Sequence, residues 1–328
     1  MHKLLWLSLS RLAYSDVPEW VEKSLQEKFP QVQFVVAREE TTVSRELEDS
    51  EILVSWSLTD EQLARAQSLR WVHSPAAGVT QLLRPPLVAS DVIVTNATTV
   101  HAVPVAEQTI ALMMALTRRL RDCFQYQTEH RWGQTPSWQP GCIPGEVNGK
   151  TIGLVGLGAI GREVATRARA LQMKIVAVKR DPLRGASSAD KVYTLSQLSA
   201  LLSESDYVVL AAPSTPETLR LIGERELRRM KPTAFLINVS RGTLVDTPAL
   251  VRALEAGTIA GAGLDVTDPE PLPPEHPLWT MPNAIITPHL GGATDRYWSR
   301  QAELLQENLR RYLAGEPLLN LVDKKRGY

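Results

Sequence analysis

Two cysteines in 328 residues, Cys123 and Cys142, are too few for a disulfide framework, and they form no CxxC pair. The six histidines fall at no zinc-ligand spacing, so no metal is expected. Sparse free thiols fit a reducing, cytoplasmic setting. Charge of one sign is also lacking. Thirty-six basic side chains balance 36 acidic ones, and no block of like charge occurs. That argues against a nucleic-acid or anionic-membrane partner. No apolar run looks long enough to span a bilayer. The N-terminal MHKLLWLSLSRLAYSD has only a short apolar run, Arg11 interrupts it, and no small-residue cleavage site follows. It reads as a first β-strand rather than a secretory signal.

What the chain does have is centred on residues 150–180, KTIGLVGLGAIGREVATRARALQMKIVAVKR. An apolar run over 151–155 reads as a buried parallel strand. Gly156, Gly158 and Gly161 follow, then a helical stretch that begins at Ala159 and Ile160, then a second apolar run over 174–178. In this β-α-β setting the glycines have separate tasks. Gly156 permits the tight turn, Gly158 lets the backbone approach a pyrophosphate, and Gly161 lets helix and strand pack closely. The helix N-terminus, with Ala159 and Ile160, offers free N–H groups and partial positive charge to the phosphates.

The end of the second strand selects the cofactor. An NAD site usually carries an acidic residue there, to bond the ribose 2′-hydroxyl. This chain has Lys179 and Arg180 instead. Two cations suit a 2′-phosphate, and one charged hydrogen bond favours it by roughly ten- to a hundredfold. NADP(H) is therefore the expected cofactor. The alternative gives the acidic role to Asp181, two places late, and keeps NAD(H) possible.

The chain is long enough for two domains, and strand-helix alternation on both sides of residue 100 predicts an α/β protein with two parallel sheets. Expected strands cover 3–9, 32–37, 52–56, 69–73 and 92–96, with helices over 17–28 and 58–66. A long apolar helix over 101–121 is expected to start near Pro104 and to be buried between domains or subunits. Residues 122–149 read as a loop-rich connection. Beyond the glycine unit, strands are expected over 207–212, 234–239, 261–266 and 284–287, and helices over 197–202, 219–230, 248–256 and 295–314. The last helix is assigned back to the first domain. The resulting division is 1–99 with 292–328 as a substrate-binding domain, and 100–291 as a dinucleotide-binding domain.

Open α/β sheets bind ligands at the carboxyl ends of their strands. Three such ends carry Ser240-Arg241-Gly242, Thr267-Asp268-Pro269-Glu270-Pro271 and Pro288-His289. An arginine can hold a carboxylate through two parallel bonds, a histidine can pass a proton, and a neighbouring carboxylate can orient the imidazole. Together they suit reduction of a 2-oxo acid to the 2-hydroxy acid.

The segments VAEQTIALMMAL, GKTIGLVGLGAIG, PSTPETLRLI, LINVSRGTLVDTPAL, GAGLDVTDPEPLP and NAIITPHLGGAT together resemble the D-2-hydroxyacid dehydrogenase family over about residues 100–294. The N-terminal third matches mainly through SPAAGV. The resemblance implies two Rossmann-like or flavodoxin-like domains with a cleft between them. It implies Arg241 as the substrate-binding arginine, Glu270 as the partner carboxylate and His289 as the general acid/base. It further implies that Asp265 bonds the nicotinamide carboxamide, that Ala212, Pro213, Thr218 and the Val239 carbonyl line the cofactor site, and that Thr109 touches the cofactor. Backbone amides of Ala77, Gly78 and Val79 would hold the substrate carboxylate. Lys179-Arg180 points to the NADP-using glyoxylate/hydroxypyruvate reductase subgroup, and a homodimer is expected. An NAD-dependent D-lactate-type dehydrogenase and a cofactor-sensing, corepressor-like binding protein are the rival readings. His101 reads as a helix-flanking histidine, and Trp56, Tyr297 and Trp298 read as core aromatics.

Overall fold

The computed structural model describes residues 2–9, 16–181 and 186–328. Arg11, which interrupts the N-terminal apolar run, lies outside them. The chain divides into two compact units, Met1–His101 with Ala293–Tyr328, and Ala102–Gly292.

Among the described residues, the first unit is built on a five-stranded parallel sheet of β1 (His2–Leu7), β2 (Val32–Ala37), β3 (Ile52–Val54), β4 (Trp71–His73) and β5 (Ile93–Thr95), in the order β2-β1-β3-β4-β5. Apolar side chains cover both sheet faces, which is why these strands read as continuous apolar runs rather than alternating ones. One face packs Leu5, Leu53, Val72 and Val94 against Val43, Leu47 and Leu87. These belong to or flank α2 (Glu40–Glu46) and α4 (Pro85–Ala89), neither of which is evident from periodicity. The other face packs Leu4, Trp6, Ile52 and Trp71 against α1 (Glu19–Lys28) and the returning helix α12 (Tyr297–Ala314), through Val21, Leu25, Leu305 and Leu309. Helix α3 (Asp60–Arg65) opens on a capping box in which Thr59 and Gln62 bond each other's backbone amides.

The second unit is a seven-stranded parallel sheet among the described residues. Its strands are β6 (Thr151–Val155), β7 (Lys174–Val178), β8 (Lys191–Tyr193), β9 (Tyr207–Leu210), β10 (Phe235–Asn238), β11 (Gly261–Leu264) and β12 (Ala284–Ile286), in the order β12-β11-β10-β9-β6-β7-β8. The strand order reverses at β6, the switch point where doubly wound sheets take their ligands. Helix α8 (Ala159–Ala170) buries Val164, Ala165 and Ala168 against one face, and α9 (Leu198–Glu204) and α11 (Thr247–Glu255) cover the other.

Helix α5 (Thr98–Thr117) begins six residues before Pro104, which lies inside it. Proline is tolerated in a first turn and disfavoured further in, so the expected start near Pro104 comes later in the chain than the observed one. The helix ends at Thr117, and Arg119, in the left-handed region at φ 54°, separates it from α6 (Leu120–Thr128). Residues 122–149 therefore hold the rest of α6 and a short α7 (Gln134–Ser137) besides loop. By length and composition α5 could cross a membrane, contrary to the expectation that no run is long enough. However, 56% of its most apolar window is buried inside the protein, as in a core helix. The helix expected over 219–230 shrinks to α10 (Glu224–Leu227). Arg220 sits at φ 49°, and Ile222 pairs with Val245 in a bridge, so the preceding residues are extended and turned.

Candidate active site

Arg241, Glu270 and His289 follow the carboxyl ends of β10, β11 and β12, which are neighbours in the sheet. Adjacent parallel strands deliver their following loops to one edge, so three residues distant in sequence emerge side by side. His289 Nδ1 lies 2.5 Å from Glu270 Oε1, and both side chains are a little under half exposed. This bond occupies Nδ1 and leaves Nε2 for another partner. Arg241 is largely buried. Burial draws its guanidinium below the usual value, and the charge of Glu270 works the other way. An arginine so placed remains a cation. Its Nη1 donates to the carbonyl of Ser240 at 2.7 Å, leaving further N–H groups for a ligand.

Buried polar residues hold these loops. Asn238, at the end of β10, accepts from the Ser240 amide and donates to the Arg241 carbonyl at 2.8 Å. Asp265, just past β11, is buried, and its carboxylate accepts from Thr287 Oγ1 at 2.6 Å, the Leu290 amide at 3.0 Å and the Gly291 amide at 2.8 Å. Its backbone carbonyl accepts from the His289 amide at 2.8 Å. His289 itself sits at φ 53°, an uncommon conformation for a non-glycine residue. The family resemblance implies a cofactor contact for Asp265. The structure shows its carboxylate anchoring the histidine loop. Gln108 extends this network by donating to Thr287 Oγ1 at 2.9 Å. Asn238 carries a signal in the sequence, as the one polar side chain of the apolar run over 235–239, whereas Gln108 stands between Glu107 and Thr109 and has no such mark.

The glycine loop follows β6. Gly156 has φ 105°, and a Cβ there would stand 2.7 Å from the Ala211 carbonyl oxygen. A Cβ on Gly161 would meet the Gly156 carbonyl oxygen at 2.2 Å, so this position must be glycine for α8 to pack on the turn. Gly158 faces open space, and α8 begins there with no side-chain cap, which leaves the amides around Ala159 and Ile160 available. The turn and the open helix end fit a dinucleotide pyrophosphate. Lys179 and Arg180 follow β7. Lys179 donates its amide to Tyr193, and the exposed Arg180 pairs with Glu217 at 3.4 Å. Asp181 is exposed beside them. Past β9, the Ala212 carbonyl accepts from Ser240 Oγ, and Thr218 Oγ1 donates to the Pro213 carbonyl at 2.7 Å. Val239 is buried at the end of β10. Thr109, which the family resemblance places at the cofactor, lies in α5. It is fully buried, and its hydroxyl donates back to the Val105 carbonyl at 2.7 Å, as a core hydroxyl does.

Ala77, Gly78 and Val79 belong to the first unit, in the loop after β4. The Ala77 carbonyl accepts from Asn96 Nδ2 at 2.9 Å, and the Ala76 carbonyl accepts from the Ala97 amide at 2.9 Å.

The family described as "D-isomer specific 2-hydroxyacid dehydrogenase, NAD binding domain" matches residues 110–291. A glyoxylate reductase of Korarchaeum cryptofilum is 39% identical, over 85% of this chain and 84% of that protein. A glyoxylate reductase of Pyrococcus furiosus is 36% identical over 94% of each. Among solved structures, an NADPH-dependent glyoxylate/hydroxypyruvate reductase of Sinorhizobium meliloti, in complex with NADP and sulfate, superposes with a TM-score of 0.83. It is 25% identical and is covered in full, as is this chain.

Proposed function

Because the chain belongs to the D-isomer-specific 2-hydroxyacid dehydrogenase family, and is thus an oxidoreductase that reduces a small 2-oxo acid, we propose that its substrate is glyoxylate, hydroxypyruvate or a close analogue, reduced with NADPH to the D-2-hydroxy acid. The observation that carries this reading is the 2.5 Å pair of His289 and Glu270 on strand ends adjacent to that of Arg241.

Arg241 presents its remaining N–H groups to the substrate carboxylate and fixes the keto carbon beside the imidazole. Glu270 holds Nδ1 of His289, so that Nε2–H points its proton at the keto oxygen. As negative charge grows on that oxygen, His289 Nε2 releases the proton and Glu270 steadies the ring. When bound, the reduced nicotinamide supplies the hydride that the keto carbon receives. In the reverse direction, neutral Nε2 takes the proton back from the 2-hydroxyl. The amides of Ala77, Gly78 and Val79 add donors for the carboxylate in this reading.

Gly156, Gly158 and Gly161, with the first amides of α8, hold the pyrophosphate, while Lys179 and Arg180 take the 2′-phosphate. Ala212, Pro213, Thr218, the Val239 carbonyl and Asp265 complete the cofactor site. NAD(H) remains the weaker alternative cofactor. A second copy of the chain completes the assembly as a homodimer. The support for this is the exposed aromatic set of Phe124, Trp132 and Trp138, with Trp132 88% and Trp138 74% exposed.

The test is the loss of NADPH absorbance with a panel of 2-oxo acids, repeated with NADH. Turnover of glyoxylate or hydroxypyruvate with a lower KM for NADPH is the expected result. Binding of the cofactor without turnover of any 2-oxo acid would favour the corepressor-like reading instead.

A further inference from the structure

One backbone oxygen in the first unit receives an unusual amount of attention. The Pro75 carbonyl accepts from Gln301 Nε2 at 2.8 Å, from His101 Nε2 at 3.1 Å and from Tyr297 Oη at 3.4 Å. Gln301 Nε2 also donates to Tyr297 Oη at 3.0 Å, so the two side chains on successive turns of α12 act as one group. All three donors are at most 8% exposed. Burying three polar side chains is costly unless their bonds are made, and here several of those bonds converge on a single peptide oxygen.

The next two carbonyls are held as well. Ala76 O accepts from the Ala97 amide, and Ala77 O accepts from Asn96 Nδ2 and from Thr98 Oγ1. In a trans peptide the C=O and the following N–H point in opposite directions. Tying down the oxygens of Ala76 and Ala77 therefore aims the amides of Ala77 and Gly78 away from residues 96–98. Among the described residues, nothing accepts from the amides of Ala77, Gly78 or Val79. Consecutive N–H groups left without an internal acceptor are free to donate to an anion.

We propose that Gln301, Tyr297 and His101 are positioning residues that lock the 75–79 loop so that its amides stay aimed at the substrate carboxylate. This rests on the reading above that those amides hold the carboxylate. The clamp acts on the peptide and touches no reacting atom. Its loss should weaken substrate binding and leave both the proton transfer and the cofactor site intact.

The variants are Tyr297→Phe, which removes one oxygen and preserves the ring packing, and Gln301→Leu. Each is compared with the unaltered enzyme for glyoxylate KM, kcat and NADPH dissociation constant, with melting temperature as a check on folding. The expected result is a KM raised about three- to tenfold, as the loss of one hydrogen bond implies, with kcat and NADPH binding held within about twofold. An unchanged KM in Tyr297→Phe would overturn the clamp. So would a raised KM accompanied in parallel by lowered kcat and weakened cofactor binding, all tracking a lowered melting temperature, since that marks a merely structural role. The parent reading is tested separately on the unaltered enzyme, with glyoxylate against its methyl ester. Equal KM for acid and ester removes the carboxylate site itself, whereas strong preference for the acid with an unaffected Tyr297→Phe removes only the clamp.

Discussion

The Asp265 carboxylate stands 2.8 Å from the Gly291 amide, two residues beyond His289. A Cβ at position 291 would come within 2.7 Å of Asp265 Oδ2, so the approach requires glycine. With the further bonds to Leu290 and Thr287, this carboxylate holds a loop whose histidine is in the left-handed region. Such conformations persist only where the surroundings over-determine them. In Asp265→Asn the Thr287 and Leu290 bonds can survive, but the new amide nitrogen faces the Gly291 N–H, donor against donor. A lost charged hydrogen bond of about 1.5–3 kcal/mol predicts a fall in kcat of about ten- to a hundredfold. Steady-state kinetics on protein with native circular dichroism would check this, and an unchanged kcat would show that the loop holds its histidine without the carboxylate.

His289→Ala should slow reduction by about 10²–10⁴-fold, the usual contribution of a general acid. NADPH binding, followed by nicotinamide fluorescence, should be unaffected because the glycine loop after β6 is untouched. Reduction needs the imidazolium and oxidation the neutral ring. The variant should therefore lose rate in both directions, and unimpaired turnover in either would remove His289 from the proton transfer.

Lys179→Asp should raise the KM for NADPH by about ten- to a hundredfold and lower that for NADH, because a carboxylate repels a 2′-phosphate but bonds a 2′-hydroxyl. Arg180→Ala should have a smaller effect, since its guanidinium is already engaged by Glu217 at the strand tip. Preserved NADPH preference in the Lys179 variant would assign the discrimination elsewhere.

Much of this site could be read from the chain because its parts follow strands, and strand ends are marked by apolar runs. β2 has the bounds its apolar run suggests, and Arg241, Glu270 and His289 come just after such runs. The parts that were not legible depend on contacts with no local signal. Gln301 reaches Pro75 across 226 positions, and Asp265 reaches Gly291 across 26. Residues 219–223 share the apolar spacing of a helix, but the Ile222–Val245 bridge and the left-handed Arg220 decide otherwise. Thr109 lies in the matching helix, and only its burial and its bond to Val105 show that its hydroxyl is already used.

If the exposed aromatics around α6 and α7 are covered by a second copy, Trp132→Ser with Trp138→Ser should shift the protein toward monomer in light scattering. The circular dichroism of the unit should be unchanged, since both side chains are exposed within it. A mass unchanged between the variant and the unaltered protein would discard these residues as the dimer contact.

His73 predicts an acid limit to stability. It is fully buried in β4, with Nδ1 2.8 Å from Thr95 Oγ1, which also accepts from Trp71 Nε1 at 2.8 Å. Burial pushes its imidazole down to about 4, against a weaker opposite pull from Gln301. The folded ring is therefore neutral over a range in which the unfolded one, near 6.5, binds a proton. Between those two values the unfolded state holds more protons, so stability rises with pH across the window and is lost as pH falls from about 6.5 to about 4. The full difference, at about 1.4 kcal/mol per unit, is about 3 kcal/mol. His73→Phe sacrifices the Thr95 bond and should be less stable at neutral pH. Between pH 7 and pH 4.5, however, its unfolding free energy in urea should drop by about 2–3 kcal/mol less than that of the unaltered chain. Equal drops in the two proteins would mean that the acid sensitivity belongs to other groups.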